Sequence, residues 1–507
     1  MGFLTSPREP KTLDRFLSDE AARDLMADEY LTGLFRQAQG DDYSFDWRVF
    51  FTADPEVLRY RRAVLEELEE NPSLVEKLRD LSAILSQIRT IDELTDPEDI
   101  SGTVRDFSIL KTAYEALEQL RAALAEKTGA GVIRSEGLVH LYELCEEKLA
   151  DTFPVAFPET WDDEASGLAQ MGSMLFRFSL NDELRIDGVA LSSVQKGRST
   201  RNAGALPKDK AALLGAPRDL SAPRDMMTPL KELIHFQTAN AGRQFVQTLR
   251  RITQDLEDLH SDLLFYLSAL LYIRSMERLD IPLCYADIRP AEEKAFSVTG
   301  MVNPVLASLK GLKPVENEIA FAEGGELLIL TGINQGGKTT FLRSVGLTQL
   351  LFQLGWPVPA ETAALSPADR IVTVFSHEEN TRLQHGKLGQ ELGTIRRGLD
   401  ELSDLSLALF NEPVTGTSPM ENLYLSREVL ISLKMRGFRG IWVTHLYDLA
   451  AEAPEMNERL PGSRVSSIIA VVCHEDESVS ASYHIRRGAP EFTSYAKEML
   501  NNSRSRS

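Results

Sequence analysis

Apolar residues recur at helical spacing through most of the first half of the chain; in the second half they fall in short unbroken runs separated by helical stretches. From about Leu13 to Leu149 the pattern predicts a series of helices. The stretch "PEVLRYRRAVLEELEENPSLVEKLRDLSAILSQI" opens on Pro55, which suits a first helical turn because its missing N–H would have no partner there. It breaks at Asn71-Pro72, so two antiparallel helices are the simple reading. Another helix is predicted from Arg105 to Lys127, with Leu110, Tyr114, Leu117, Leu120 and Leu124 on one stripe and Gly129 and Gly131 beyond its end. Stripes of this kind are core.

Between Met174 and Val194 the period shortens, and alternation on both sides of Asn181-Asp182 predicts a small hairpin. The segment that follows, at 195–225, is rich in Gly, Pro and Ala. It carries Lys196, Arg198, Arg201, Lys208, Lys210, Arg218 and Arg224 against Asp209, Asp219 and Asp225. Either it is a solvated flexible loop, or it contacts phosphates. Helical spacing returns from about Leu230 to Leu279, a length that at 1.5 Å per residue spans about 70 Å and suits a connecting lever better than a core helix. Short β-like segments, "LDIPLCYADIRP" and "KAFSVTGMVNPVL", then lead into alternating strand and helix. The expected architecture is multi-domain. An N-terminal helical segment (1–50) precedes a helical core (51–279) with its small β element and basic loop, and an α/β domain (280–507) follows.

Length and composition agree with that division. A chain of 507 residues is too long for one core and predicts roughly two to four domains. No run of 18 apolar residues is present, and the N-terminal "MGFLTSPREPKTLDRF" has charges and prolines where a signal peptide needs an apolar segment. A soluble, cytoplasmic protein with no membrane partner is expected. Cys145, Cys284 and Cys473 lie far apart without metal-ligand spacing, which suits a reducing compartment and argues against zinc. The net charge of −21 means that any nucleic-acid contact must be local, because non-specific coating of phosphates requires a basic excess.

The candidate chemistry lies in "ELLILTGINQGGKTTFLRSVGLTQLL". An apolar strand, Leu327 to Leu330, runs through a glycine-rich turn into a helix, and Gly332, four residues, then Gly337-Lys338-Thr339 is the phosphate-loop spacing in its required setting. Glycines let backbone amides close around phosphates, Lys338 reaches the β and γ oxygens, and the Thr339 hydroxyl can ligate magnesium. Asn334, Gly336 and Thr340 complete the nucleotide-binding set, and ATP with Mg2+ is the expected cofactor pair. Downstream, "LSLALFNEPVTGTSP" is a strand ending in Asn411-Glu412, where ATPases that hydrolyse through a glutamate carry Asp-Glu. A second strand, "GIWVTH", ends in Thr444-His445. A histidine there can hydrogen-bond the γ-phosphate or the attacking water; the alternative is a structural strand-end residue. Glu412 and His445 are the catalytic candidates, with Thr339, Glu412 and, through water, Asn411 as metal-holding residues.

The loop "NQGGKTT" resembles the Asn-x-Gly-Gly-Lys-Ser/Thr loop of the MutS mismatch-repair ATPases, which belong to the ABC-type group. The resemblance continues in register through Gly355, Val358-Pro359-Ala360, Pro367, Asp369-Arg370-Ile371 and Thr373, then "NEPVTGTSP" and "VTHLYDL". "VTGMVNPVL" ahead of the loop and "RRGAPEFTSYA" near the end extend it from about 280 to 496, while the helical first half is similar in layout to the family's lever and clamp domains. The resemblance implies an ATP-operated DNA clamp, homodimeric through its ATPase domains.

Two departures qualify that expectation. Asn411 stands where the family has a metal-supporting aspartate, which predicts retained ATP binding and slow hydrolysis. The serine expected to cap a partner's γ-phosphate is Gly386, followed by Lys387, which either acts in trans in its place or is an exposed helix-start residue. No Phe-x-Glu mismatch wedge precedes the core, and no helical dimerisation element or nuclease-like domain follows "KEMLNNSRSRS", so direct mismatch reading is not expected. A protein-binding scaffold without DNA is the alternative function; an ABC-transporter subunit fits the nucleotide loop only generically.

Overall fold

The helical spacing of the first half materialises as α1 (Asp19–Asp24), α2 (Ala27–Gln39), α3 (Pro55–Glu70), α4 (Pro72–Leu85), α5 (Ile100–Gly129) and α6 (Glu136–Asp151), with α7 at 258–277. The computed structural model describes residues 5, 17–39, 46–87, 100–129, 133–151, 171–180, 186–196, 256, 258–376, 387–475 and 478–490. Contacts divide the chain into one unit of residues 1–75, 133–139 and 262–507 and another of 76–132 and 140–261. Each predicted helix start has a local cause. Asp54 accepts from the Glu56 N–H at 2.9 Å and Pro55 occupies the first turn of α3, while Asn71 leaves helical geometry (φ −125°) so that Pro72 can open α4.

In the second unit, α5 buries Tyr114, Leu117, Leu120 and Leu124 along the stripe read from the sequence. Strands β1 (Met171–Leu180) and β2 (Ile186–Lys196) pair antiparallel with Met174 opposite Val194. Of the long helical stretch at 230–279, the part before 256 lies outside the described residues. Among the described residues no helix is long and apolar enough to cross a membrane.

The first unit is a mixed α/β body. Its smaller sheet has the order β3 (Asp287–Ile288), β7 (Thr362–Leu365), β4 (Phe296–Met301), β5 (Asn317–Ala320). Its larger sheet has the order β12 (Ser478–Arg487), β11 (Arg464–Glu475), β6 (Glu326–Thr331), β10 (Arg439–Val443), β9 (Leu407–Asn411), β8 (Ile371–Phe375). All neighbours in the larger sheet are parallel except the β11–β12 pair. Parallel strands covered on both faces read as unbroken apolar runs, which is why "ELLILT", "IVTVF" and "RGIWV" are buried at every position. Between them Phe410 stacks on Trp442 with ring centroids 4.9 Å apart.

Helices α8 (Pro304–Lys310), α9 (Lys338–Leu354), α10 (Lys387–Glu401), α11 (Pro419–Met435), α12 (Tyr447–Ala451) and α13 (Ala453–Arg459) link these strands. The chain leaves β6 in the middle of the sheet, returns at the far edge as β8, and walks back through β9 and β10 before crossing to β11. Strand order therefore reverses at β6, and the crevice beyond the carboxyl ends of β6, β9 and β10 is where such sheets bind ligands.

Helix α9 is also the element on which the N-terminal segment packs. The Thr52 N–H donates to the Gln353 carbonyl at 3.2 Å, and the Gln353 amide donates to the Thr52 carbonyl at 2.9 Å. Buried Arg61 on α3 donates to the carbonyls of Thr5 (2.9 Å), Phe50 and Leu354 (3.3 Å), the last being the final residue of α9.

Candidate functional site

The phosphate loop follows from what the backbone must do after β6. Gly332 has φ +144°, and a Cβ there would lie 2.6 Å from the Ala470 Cβ on β11, so only glycine fits. Gln335 (φ +60°) and Gly337 (φ +86°) turn the chain again, and α9 starts with no side chain capping it. Its first N–H groups are therefore left facing the loop, an anion seat reinforced by the helix dipole. Asn334 is exposed at the mouth, and Thr340 begins the second layer, its carbonyl accepting from the Asn303 amide at 3.2 Å. The Lys338 ammonium is buried and arches back to donate to the carbonyls of Gly332 (3.1 Å) and Ile333 (2.9 Å). Burial lowers its pKa, and the nearby Glu412 carboxylate opposes that shift.

Three strand ends supply the facing groups. Asn411, the last residue of β9, accepts from the Thr339 hydroxyl at 3.3 Å, which joins the two metal-holding candidates. Glu412 adopts φ +49° while its N–H donates to the Val443 carbonyl at 3.0 Å. Beyond β10, the Thr444 N–H donates to the Leu330 carbonyl at 3.0 Å, which pins the start of the His445 turn to the phosphate-loop strand. His445 Nε2 then sits 2.9 Å from Glu412 Oε1. That hydrogen bond holds the Glu412 carboxyl below its ordinary pKa; burial opposes the shift, and the charges of His445 and Lys338 add to it.

The structure thus brings Asn334, Gly336, Gly337, Lys338, Thr339, Thr340 and Glu412 to one cleft of about 670 Å³, with Gly332, Asn411 and His445 touching its members. The opposite wall was not found from the sequence. It is formed by Leu306, Leu312, Pro314, Val315 and Tyr483. Tyr483 (φ +61°) stands on a bulge in β12 where the pairing jumps from Ala470–Ile485 to Val472–Ala481, and its ring lies 3.2 Å from where a Gly337 Cβ would be. Asn317 holds the bulge, accepting from the Ile485 N–H at 2.7 Å and donating to the Tyr483 carbonyl at 3.1 Å. Asn303 carried a readable signal, because Asn-Pro starts a helix. Its side chain accepts from the Leu306 N–H at 2.8 Å to cap α8. Glu391 on α10 was also missed. It accepts from the backbone N–H groups of Thr415 (3.0 Å) and Gly416 (2.8 Å), which ties α10 to the segment following Glu412.

Other candidates lie outside this cleft or outside the described residues. Lys387 is the first residue of α10, and Gly386 lies outside the described residues. Lys196 ends β2, while Arg198, Arg201, Lys208 and Lys210 also lie outside the described residues.

Comparison with known families matches residues 328–500 to MutS domain V and residues 53–279 to the MutS2 N-terminal domain. A DNA mismatch repair protein MutS from Chlorobaculum parvum is 26% identical over 483 residues, covering 88% of this chain and 53% of that protein. An endonuclease MutS2 from Thermus thermophilus is 33% identical over 165 residues, covering 32% of this chain and 22% of its own. A human MutS protein homolog 4 is 31% identical over 165 residues, covering 32% and 17%. The chain thus spans about half or less of the length of these relatives. The domain V match includes the phosphate loop, Asn411, Glu412, His445 and Tyr483, and the MutS2 N-terminal match precedes it in the chain. The chain belongs to the MutS family.

Proposed function

We propose that this protein is a MutS-type ATPase whose nucleotide state opens and closes a clamp on DNA in repair or recombination. The observation that carries the reading is the Glu412–His445 pair, 2.9 Å apart, facing a phosphate loop whose lysine is already in the cleft. The leucine, proline, valine and tyrosine wall is the seat for the base, and the α9 N-terminus is the seat for the phosphates.

Among the described residues no three His, Cys, Asp or Glu side chains cluster as a metal cage. Magnesium does not need one, because it favours a few hard oxygens with water and substrate phosphate completing the octahedron. The oxygens of Thr339 and Asn411 at 3.3 Å, with Glu412 beside them, fit that role. When bound, the ion offsets phosphate charge. Lys338 exchanges the carbonyls of Gly332 and Ile333 for β and γ oxygens. Glu412, kept ionised by His445, takes the proton of a water whose oxygen attacks the γ-phosphorus. The bond from that phosphorus to the β–γ bridging oxygen breaks, and ADP and phosphate result. Asn411 lacks the charge of an aspartate, so turnover is slow and ATP occupancy, rather than flux, sets the state. Two copies join through their ATPase domains, with the partner subunit's Lys387 neutralising the γ-phosphate. Helical levers pass the change to a clamp in which Lys196, Arg198, Arg201, Lys208 and Lys210 contact DNA phosphates without reading sequence.

The test is ATP turnover and binding to homoduplex, mismatched and branched DNA across a salt series, with the basic loop charge-reversed. Binding should weaken with salt, and charge reversal should flatten the slope. No response of affinity or slope would remove the clamp. A second reading, a nucleotide-switched protein scaffold, is favoured by the net charge of −21, and it predicts that same null result with ATP binding intact.

A further inference from the structure

One residue of the N-terminal segment reaches two of the elements that build the nucleotide site. Asp24, the last residue of α1, is 3% exposed. Its carboxylate accepts from the Thr373 hydroxyl on β8 at 2.7 Å, and its carbonyl accepts from the Arg343 guanidinium on α9 at 2.8 Å. The next residue, Leu25, fills the space over α9 that a glycine leaves open, since a Cβ on Gly346 would lie 2.3 Å from Leu25 Cδ2 and 2.9 Å from Leu409 Cδ1 on β9. Met26, at φ +59°, then turns the chain into α2. The corner therefore touches α9 and β8 within two residues, and at Gly346 it approaches Leu409 of β9.

Those three elements converge on the Thr339–Asn411 contact. Helix α9 presents Thr339 one turn before Arg343. Strand β8 ends at Phe375, in register with Asn411, and the Ser376 N–H donates to the Asn411 carbonyl at 3.1 Å. The Arg343 guanidinium lies 5.9 Å from the Phe375 ring centroid, and Leu409 precedes Asn411 by two residues. Stability alone is a poor reason for an aspartate here. A carboxylate in the last turn faces the negative end of its own helix, and its burial carries a desolvation cost that the partners on β8 and α9 must offset. Breaking such local rules is characteristic of residues kept for a site.

We infer that the α1–α2 corner sets the position of the nucleotide site, with Asp24 as a positioning residue that fixes α9 against β8 and so holds Thr339 and Asn411 in metal-binding geometry. The inference rests on the ATPase reading for its consequence, though not for its geometry. In the wild-type chain the corner keeps α9 from sliding along β8 and β9. Loosening it leaves phosphate binding at the α9 N-terminus intact while separating Thr339 from Asn411, the residues that would hold the metal directly and through water.

The experiment compares full-length wild type with Asp24→Ala, Asp24→Asn, Thr373→Val and the Asp24→Ala/Thr373→Val double variant. Hydrogen exchange is read without nucleotide; a fluorescent ATP analogue is then titrated with and without Mg2+, and kcat and KM are measured. Asp24→Ala and Thr373→Val should each speed exchange about tenfold in peptides covering 338–346 and 407–413, as expected for loss of one buried hydrogen bond to a charged group. The Mg2+ midpoint should rise by a similar factor and kcat should fall, while KM and Mg2+-free nucleotide affinity stay near wild type. The double variant should add little, because both changes remove one contact, and Asp24→Asn, which keeps an acceptor for Thr373, should recover most of the loss. Faster exchange confined to residues 19–39, equal acceleration in β4 and β5, or an unchanged Mg2+ midpoint in an active enzyme overturns the inference. Thr373→Val decides it if Asp24→Ala does not fold. A wild type that fails to bind ATP refutes the ATPase reading, and the exchange arm still decides the positioning role.

Discussion

Restoring a charge at Asn411 tests the reading most directly. The Thr339 hydroxyl donates to Asn411 Oδ1 at 3.3 Å, longer than the ~2.5–3.0 Å usual for such a bond, so the contact is weak as a neutral pair. In Asn411→Asp the acceptor becomes a carboxylate, and a charge-assisted bond is roughly twice as strong as a neutral one. Taking neutral bonds at about 1 kcal/mol and charged ones at about 2 to 3 kcal/mol, the gain is about 1 to 2 kcal/mol, or roughly five- to thirtyfold. Without the metal that gain is offset, because the new carboxylate adjoins that of Glu412 and the two repel. Phosphate release measured against Mg2+ at saturating ATP should therefore show a midpoint lowered about five- to thirtyfold and a raised maximal rate, with a slightly lower melting temperature in the absence of metal. An unchanged midpoint and rate, or the same gain in Asn411→Ala, refutes the assignment of Asn411 to the metal.

Glu412→Gln should abolish turnover while leaving ATP bound, as read by single-turnover phosphate release beside equilibrium binding. The pH profile carries a sign as well. The His445 bond lowers the Glu412 pKa, so the active carboxylate is present above the ordinary carboxyl value and is lost only as pH falls through the lowered one. His445→Ala should move the acid limb of kcat/KM to higher pH, and a limb that does not move would show that the pair is uncoupled. Gly332→Ala forces an L-residue to φ +144° with its Cβ 2.6 Å from Ala470, so nucleotide binding should be lost, and a titration with near-wild-type affinity would refute that. Arg61→Met recovers roughly 3 kcal/mol of charge burial, since burial takes this guanidinium down to about 10, but it strips a charged donor from three carbonyls at about 1.5 to 3 kcal/mol each. A net loss of roughly 1.5 to 6 kcal/mol should appear in urea unfolding followed by tryptophan fluorescence, and equal stability would mean that the carbonyls find other donors.

The parts of the site legible in the sequence are those whose neighbours in space are also neighbours in the chain. Gly332 to Thr339 form one strand–loop–helix unit, and Asn411-Glu412 and Thr444-His445 each end a strand whose buried apolar run announces it. Their convergence follows from parallel pairing of β9 and β10 beside β6. Tyr483 and Asn317 were not legible, because the feature that brings them to the cleft is a bulge, and a register shift leaves no mark in an alternating pattern. Asp24 and Arg343 are 319 residues apart, and no local period relates an aspartate at the end of one helix to an arginine in the first third of another. The β-like reading of "LDIPLCYADIRP" yields only the two residues of β3 and an isolated bridge from Cys284 to Val358, since edge segments depend on a partner that sequence pattern does not name.

Backbone strain marks the site independently of any motif. Among the described residues, the non-glycines with positive φ are Met26, Asp280, Lys294, Gln335, Glu412 and Tyr483. Three of these six line the cleft, and Met26 turns the corner that holds α9. Each such residue costs about 1 to 3 kcal/mol and persists only where surrounding contacts impose it. For Glu412 the reason is geometric. Successive residues of a strand point to opposite faces, so an extended continuation of β9 would send Asn411 and Glu412 apart. The left-handed turn at Glu412 breaks that alternation while its N–H keeps the bond to Val443, and the side chain comes round to His445 as Asn411 stays with Thr339. The proposed base and the proposed metal-holding group can then serve one phosphate from adjacent positions. The same logic applies at Tyr483, where the bulge lifts the ring over the loop instead of leaving it in the plane of an edge strand. The fold thus carries an unfavourable backbone conformation at each wall of the cleft and a buried ammonium between them, costs that phosphate, metal and base contacts can offset. On the proposed reading such a site changes its own conformational balance when nucleotide arrives, the property that the proposed slow hydrolysis needs if occupancy is to act as the signal.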